Sequence, residues 1–187
     1  MKKTNNKGFS LVELIIVIAI MAILAGAIAP ALIRYIDKSR KSNDVSACKT
    51  IKTAVETAMG NEKTYELLTA GAVTNNTTNW VVITPGATSK AGVDIKVSSG
   101  GNITTDATNY EAKAEEEIFN NIGESVPKLK YKKAADSTIG LPQAFYVTTT
   151  AGGTVKVYIG KNALTQADFA DDTKAYLISP DVCDYYQ

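Results

Sequence analysis

Residues 7–33 read KGFSLVELIIVIAIMAILAGAIAPALI, and this stretch decides how the rest of the chain is organised. From Phe9 to Ile33, 21 of 25 residues are apolar, the exceptions being Ser10, Glu13, Gly26 and Pro30. From Leu14 to Ile33 the run holds 20 residues without a charge, close to the ~20 that a helix needs to cross a bilayer. Lys2, Lys3 and Lys7 precede it, which favours a cytoplasmic N-terminus by the positive-inside rule. Three readings fit this pattern. It is a secretory signal peptide with small-residue cleavage sites at Ala25-Gly26-Ala27 and Ala27-Ile28-Ala29, a plain membrane anchor, or a segment that first spans a membrane and later packs against copies of itself.

Glu13 weighs on that choice. A carboxylate within an apolar helix costs about 2.5–3.5 kcal/mol at mid-membrane and less near the interface. A signal peptide or an anchor gains nothing from it. An acid in such a place is a functional hypothesis that needs a partner, and the plain alternative is a hydrated side chain at headgroup level.

Lys7-Gly8-Phe9-Ser10-Leu11-Val12-Glu13-Leu14, followed by the apolar run, resembles the processing site of type IV prepilins. The resemblance implies that a membrane peptidase cuts the Gly8–Phe9 bond and methylates the new amine on Phe9. Pro30 also falls in register with that family. It supplies the partner for Glu13: the Phe9 amine of a neighbouring subunit, paired with the carboxylate during filament assembly. A buried pair of this kind sets register more reliably than it adds stability. Many relatives carry glycine where this chain has Ala22, a departure that leaves the extent of any unwinding between Gly26 and Pro30 open.

Beyond Ile33 the helical pattern continues. Ala47, Cys48, Ile51, Ala54, Val55 and Ala58 recur at helical spacing, and Gly60-Asn61 offers a C-terminal cap. A helix over about Ser10–Met59 would be roughly 75 Å long at about 1.5 Å per residue, so its second half must pack on the C-terminal domain. Pro30 removes one backbone hydrogen bond and Gly26 lowers helix propensity. That is either a tolerated kink or a segment that unwinds when subunits pack.

The remainder is rich in Thr, Asn and Gly with short apolar runs. Thr64–Leu68 suggests a helical turn, and Trp80–Thr84 and Gly92–Ser98 suggest strands around a Pro85-Gly86 turn. Asn75–Asn79 reads as a polar loop. Thr108 and Glu111 fit a capping box ahead of a helix over about Asn109–Ile122. Val126–Lys132 reads as a strand, Ala144–Thr149 and Thr154–Ile159 as a hairpin turning at Gly152-Gly153, and Tyr176–Ser179 as an edge strand. The expectation is an α+β fold, a long N-terminal helical spine packed on an antiparallel sheet. Its parts are a leader over 1–8, an apolar membrane and filament-core helix over 9–33, an amphipathic continuation over 34–59 and a head over 60–187.

Cys48 and Cys183 are the only cysteines. In an extracellular protein an even pair suggests a disulfide, which would tie the tail to the spine; two reduced thiols are the alternative. Asp168, Asp171 and Asp172 match no calcium-loop spacing and read as a solvated acidic turn. Glu115-Glu116-Glu117 reads as the wet face of a helix. Lys128, Lys130, Lys132 and Lys133 read as the exposed side of a strand rather than a nucleic-acid contact.

With no histidine among 187 residues, histidine-based catalysis and metal binding are excluded, and no pairing of nucleophile and base is visible. A net charge of +1 argues against a dedicated nucleic-acid binder. No metal and no cofactor is expected. The resemblance, nearest to the Gram-positive, clostridial kind of type IV pilin, implies a structural subunit of an extracellular filament. It implies a homo-oligomer served by a prepilin peptidase, an assembly platform and an ATPase, held in the membrane before assembly. The alternatives are a minor pilin or pseudopilin of a secretion or DNA-uptake system, and a secreted or membrane-tethered binding module.

Overall fold

The computed structural model describes residues 8–69, 79–96, 107–133, 139–169 and 174–187. The chain divides into two compact units, one ending at Ser39 and the other running from Arg40 to Gln187. A single helix, α1 (Leu11–Ala58), runs through both and contains Pro30 without interruption.

In the first unit α1 buries nothing. Large apolar side chains from Phe9 and Leu11 to Leu32 and Ile33 are exposed. The helix contains a window of mean hydropathy 2.9, none of it covered by protein, which is long and apolar enough to cross a membrane.

The second unit holds the core. Asp44, Ala47, Cys48, Ile51, Ala54, Val55 and Ala58 are the buried residues of α1, at the spacing of one helical face. The helix ends by tightening: Gly60 N–H donates to Thr57 O (3.1 Å) and Asn61 N–H to Ala58 O (3.0 Å). Asn61 then accepts from Lys63 N–H through its side chain (3.1 Å), opening α2 (Glu62–Thr69), longer than the single turn expected.

The sheet is built from β1 (Trp80–Ile83), β2 (Val93–Lys96), β3 (Ala144–Thr149), β4 (Val155–Gly160) and β5 (Tyr176–Ser179). Every pairing is antiparallel, in the order β2-β1-β3-β4-β5, so β5 is an edge strand as its position suggested. Alternation sorts the two faces. Val81, Ile83, Phe145, Val147, Val155, Val157, Ile159 and Ile178 join the α1 core. Trp80, Tyr146, Tyr158 and Leu177 face a smaller cluster closed by Leu164 and Phe169. Phe169 holds its place by tilted ring contacts with Trp80, Tyr146 and Tyr158 at 5.4–6.2 Å.

α3 (Ala107–Ile122) buries Ala114, Ile118, Phe119 and Ile122 against the main core. It begins ahead of Thr108, so that residue is not the cap the sequence suggested. Its end is capped by Gly123, whose φ of 99° suits the left-handed turn that closes a helix.

One expected strand does not form. Residues 126–133 lie outside the sheet with no regular secondary structure, although Val126, Leu129 and Tyr131 are buried and Lys128, Lys130 and Lys132 exposed. Pro127 has no N–H to give a ladder. The N–H groups of Lys130 and Tyr131 bond instead to the Asp44 carboxylate, at 2.8 and 2.9 Å. Residues 75–78, the distal part of the β2 reading at 97–98, and Asp171 and Asp172 lie outside the described residues.

Candidate functional site

The motif residues lie at the start of α1. Gly8 is exposed, and a Cβ built there would meet no atom within 4 Å, so the backbone around the expected cleavage bond is open. Phe9 is 80% exposed and stands ahead of the helix. Glu13 falls in the first turn, where its Oε2 accepts the N–H of Ser10 at 2.9 Å. The carboxylate thus satisfies one of the orphan donors of the helix start and lies where the helix dipole favours negative charge. Gly8 and Phe9 stand just ahead of the helix and Glu13 in its first turn, whereas Gly26 and Pro30 lie farther along the same helix. Pro30 can give no N–H to the Gly26 carbonyl four residues back, so the two mark one missing rung of α1. No other part of the first unit meets a Cβ built on Gly26.

The cysteines belong to the second unit. Cys48 is wholly buried on α1 and Cys183 half-buried ahead of the C-terminal turn, both as free thiols. Burial pushes the Cys48 thiol well up, with the Asp44 charge adding to it, and burial raises Cys183 as well. Both pack on the same core.

Asp44 is the residue that sequence reading left unremarked, as one of several charges between 34 and 59. It is completely buried. Burial raises its carboxyl above the usual range, opposed by the bonds from Lys130 and Tyr131 N–H and by the Lys130 charge. The signal was present: Asp44 stands three and four residues before Ala47 and Cys48, on the apolar face. Beside it the C-terminus is tied to the spine. Lys41 Nζ donates to Tyr185 O and stands 4.7 Å over the Tyr185 ring, while Tyr185 stacks on Tyr176 at 4.8 Å. Tyr186 is buried with no partner for its hydroxyl among the described residues, and burial raises that hydroxyl far above its ordinary value.

Asp168 accepts the Thr165 N–H (2.8 Å) and hydroxyl (2.7 Å) on one oxygen and Lys174 Nζ (3.0 Å) on the other, which holds its carboxyl down at about 2. It braces a turn. Among the described residues no group of three His, Cys, Asp or Glu side chains could hold a metal ion. Glu115 Oε1 accepts Ile95 N–H of β2 (3.0 Å) and Glu116 pairs with Lys90 (2.9 Å), so two of the three acids are tied to β2 and the turn before it.

The family model for the prokaryotic N-terminal methylation motif matches residues 3–29. The chain is 39% identical over 109 residues to fimbrial protein Q of Moraxella bovis, covering 57% of this chain and 68% of that one. It is 38% identical over 74 residues to the type IV major fimbrial protein FimA of Dichelobacter nodosus, covering 40% of this chain and 47% of that one. To the type IV major alpha-pilin of Moraxella bovis it is 46% identical over 59 residues, 32% of this chain and 37% of that one. The chain thus spans about two thirds of the first relative and less than half of the other two. No solved structure matches. With the methylation motif at the head of an uncovered apolar helix, and a fimbrial protein matched over two thirds of its length, the chain belongs to the type IV pilin family.

Proposed function

We propose that the protein is a structural subunit of a type IV pilus. The observation that carries this reading is the uncovered apolar half of α1 headed by Glu13. Some 20 apolar residues of this half, left exposed by the described residues of their own chain, require another cover. Membrane serves the precursor, and the same segment of other copies serves the filament. Exchange of lipid for apolar helices gains little by transfer, so packing and the placement of polar groups decide register.

On this reading a membrane peptidase cuts Gly8–Phe9 and methylates the Phe9 amine. An ATPase-driven platform then extracts the subunit, and the protein moves from the cell membrane to a surface pilus. Oε2 of Glu13 is engaged by Ser10 N–H, which leaves Oε1 for the Phe9 amine of a neighbour. The missing rung at Gly26 and Pro30 is where α1 would loosen as subunits pack. A disulfide between Cys48 and Cys183 would fasten the C-terminal turn to the spine. Alkylation of native filaments before and after reduction tests it, and two alkylatable thiols without reduction end the idea. No catalytic step is part of this function.

Mass spectrometry of the mature N-terminus is the deciding experiment for the reading as a whole. A chain beginning at N-methylated Phe9 is expected, whereas one beginning at Ala27 or Pro30 would belong to a secreted or tethered module instead. Peptide mapping of sheared surface filaments separates a major subunit from a minor pilin or pseudopilin.

A further inference from the structure

The second unit has two chemically different ends. At one end lies α2, joined to the β3–β4 hairpin: Thr149 Oγ1 donates to Leu68 O, and Gly153 sits against the Tyr65 ring. At the other end, β3 and β4 meet at Ala144 and Gly160, and the segment after α3 is pinned to Asp44. Along α1 the two ends are about 20 Å apart, from Asp44 to Ala58.

The Asp44 end carries a groove of about 710 Å³ whose lining includes Pro85, Gly86, Lys128, Lys132, Leu141 and Asn162, with no carboxylate among the described residues. The groove is a shaped feature. Gly86 has φ of 77°, and a Cβ on it would lie 3.1 Å from Lys128 Cγ and 3.2 Å from Cε. Only glycine lets the lysine stem lie along that backbone. Leu141, 51% exposed, adds an apolar wall beside the charges.

At the α2 end the helix itself carries two acids against one lysine, with Lys113 of α3 also over the Tyr110 ring. Glu62 and Glu66 stand one turn apart on an eight-residue helix, both exposed and neither with an ion pair among the described residues. Like charges at this spacing repel and weaken a helix unless an outside charge meets them. Lys63, between them, has its ammonium over the Tyr110 ring at 4.2 Å and bonded to that hydroxyl.

A lysine groove at one end and a glutamate turn at the other cannot meet within one copy. Between copies displaced along the spine the two surfaces could meet, in a head-to-tail contact that does not close. We infer that the Lys128–Lys132 groove of one subunit receives the Glu62–Glu66 turn of α2 from a second copy of this chain. The inference rests on the filament reading and names a contact that reading leaves open, one made by the heads rather than by the apolar helices. Complementary charge at such a contact selects register and disfavours wrong partners.

Zero-length carbodiimide cross-linking of native filaments tests it, with subunits of two isotope labels mixed before assembly. Cross-links from Lys128 or Lys132 to Glu62 or Glu66 are expected between differently labelled copies. Reversing one side, K128E with K132E or E62K with E66K, should lower the yield of sheared filaments roughly tenfold, and reversing both sides should restore most of it. Filaments whose heads are joined through other residues would overturn the contact while leaving the filament reading intact. So would K128E/K132E filaments of unchanged yield that have lost retention on a polyanion matrix, which would assign the groove to an anionic polymer. A wild-type chain, processed and exported, that forms no filaments would overturn both.

Discussion

Asp44 and Tyr186 are neighbours in the core with opposite accounts of their polar atoms. Each oxygen of the Asp44 carboxylate has a partner, the N–H groups of Lys130 and Tyr131. D44A would leave two buried donors without an acceptor and is expected to cost about 2–4 kcal/mol in urea unfolding of the detergent-solubilised protein. The Tyr186 hydroxyl has no partner among the described residues, so its burial is a cost already carried by the fold. Y186F keeps the ring against Tyr131 and Tyr176 and removes that cost. Stability should hold or rise by up to about 1 kcal/mol in the same measurement, and a clear fall would mean that the hydroxyl is satisfied after all. Asp44 was legible as a residue on the apolar face of α1. Its partners were not, since they lie some 86 and 87 positions away in sequence.

At the scale of elements, the helices and the hairpin follow from local chemistry and the strand at 126–133 does not. Periodicity gives α1 and α3, and Gly152-Gly153 between two β-rich runs gives β3 and β4. Whether a strand-like sequence joins a sheet depends on which neighbour takes its N–H groups, and here a side chain on α1 takes two of them. A close backbone approach elsewhere is equally tertiary. Gly92, entering β2, would place a Cβ 2.1 Å from the Ala87 Cβ. G92A is therefore expected to lower stability by about 1–3 kcal/mol, and the added change A87G should recover part of the loss. Thermal melts of the two variants beside the parent check this.

For the whole molecule, two carboxylates pull the pH dependence in opposite directions. Asp44 has a folded value raised above its ordinary 3.8, so the folded chain binds that proton more tightly than the unfolded one. Its contribution is complete below that ordinary value and is lost as pH rises through the raised folded value. Asp168, held down at about 2 from 3.8, contributes above the ordinary value and loses that contribution as pH falls through the folded one. D168N should flatten the acid limb of a urea-midpoint profile, and D44N should flatten the decline on the side above about pH 4. The division into two units carries a further expectation. E13A alters a residue of the first unit alone, so it should abolish surface filaments while the melting temperature of the second unit stays within about 1 °C of the parent.

By itself the sequence determined the membrane-length apolar helix, its acid at Glu13, the continuation of that helix as one face of a core, and the α+β class. These depend on periodicity and on motifs within a few residues, where chemistry and spacing are read together. Only the tertiary structure decided what Asp44 bonds, that residues 126–133 stay out of the sheet, and that Lys128 and Glu62 stand at opposite ends of one body. Such facts rest on contacts between segments far apart in the chain, and no local propensity records which distant donor or charge a side chain will meet.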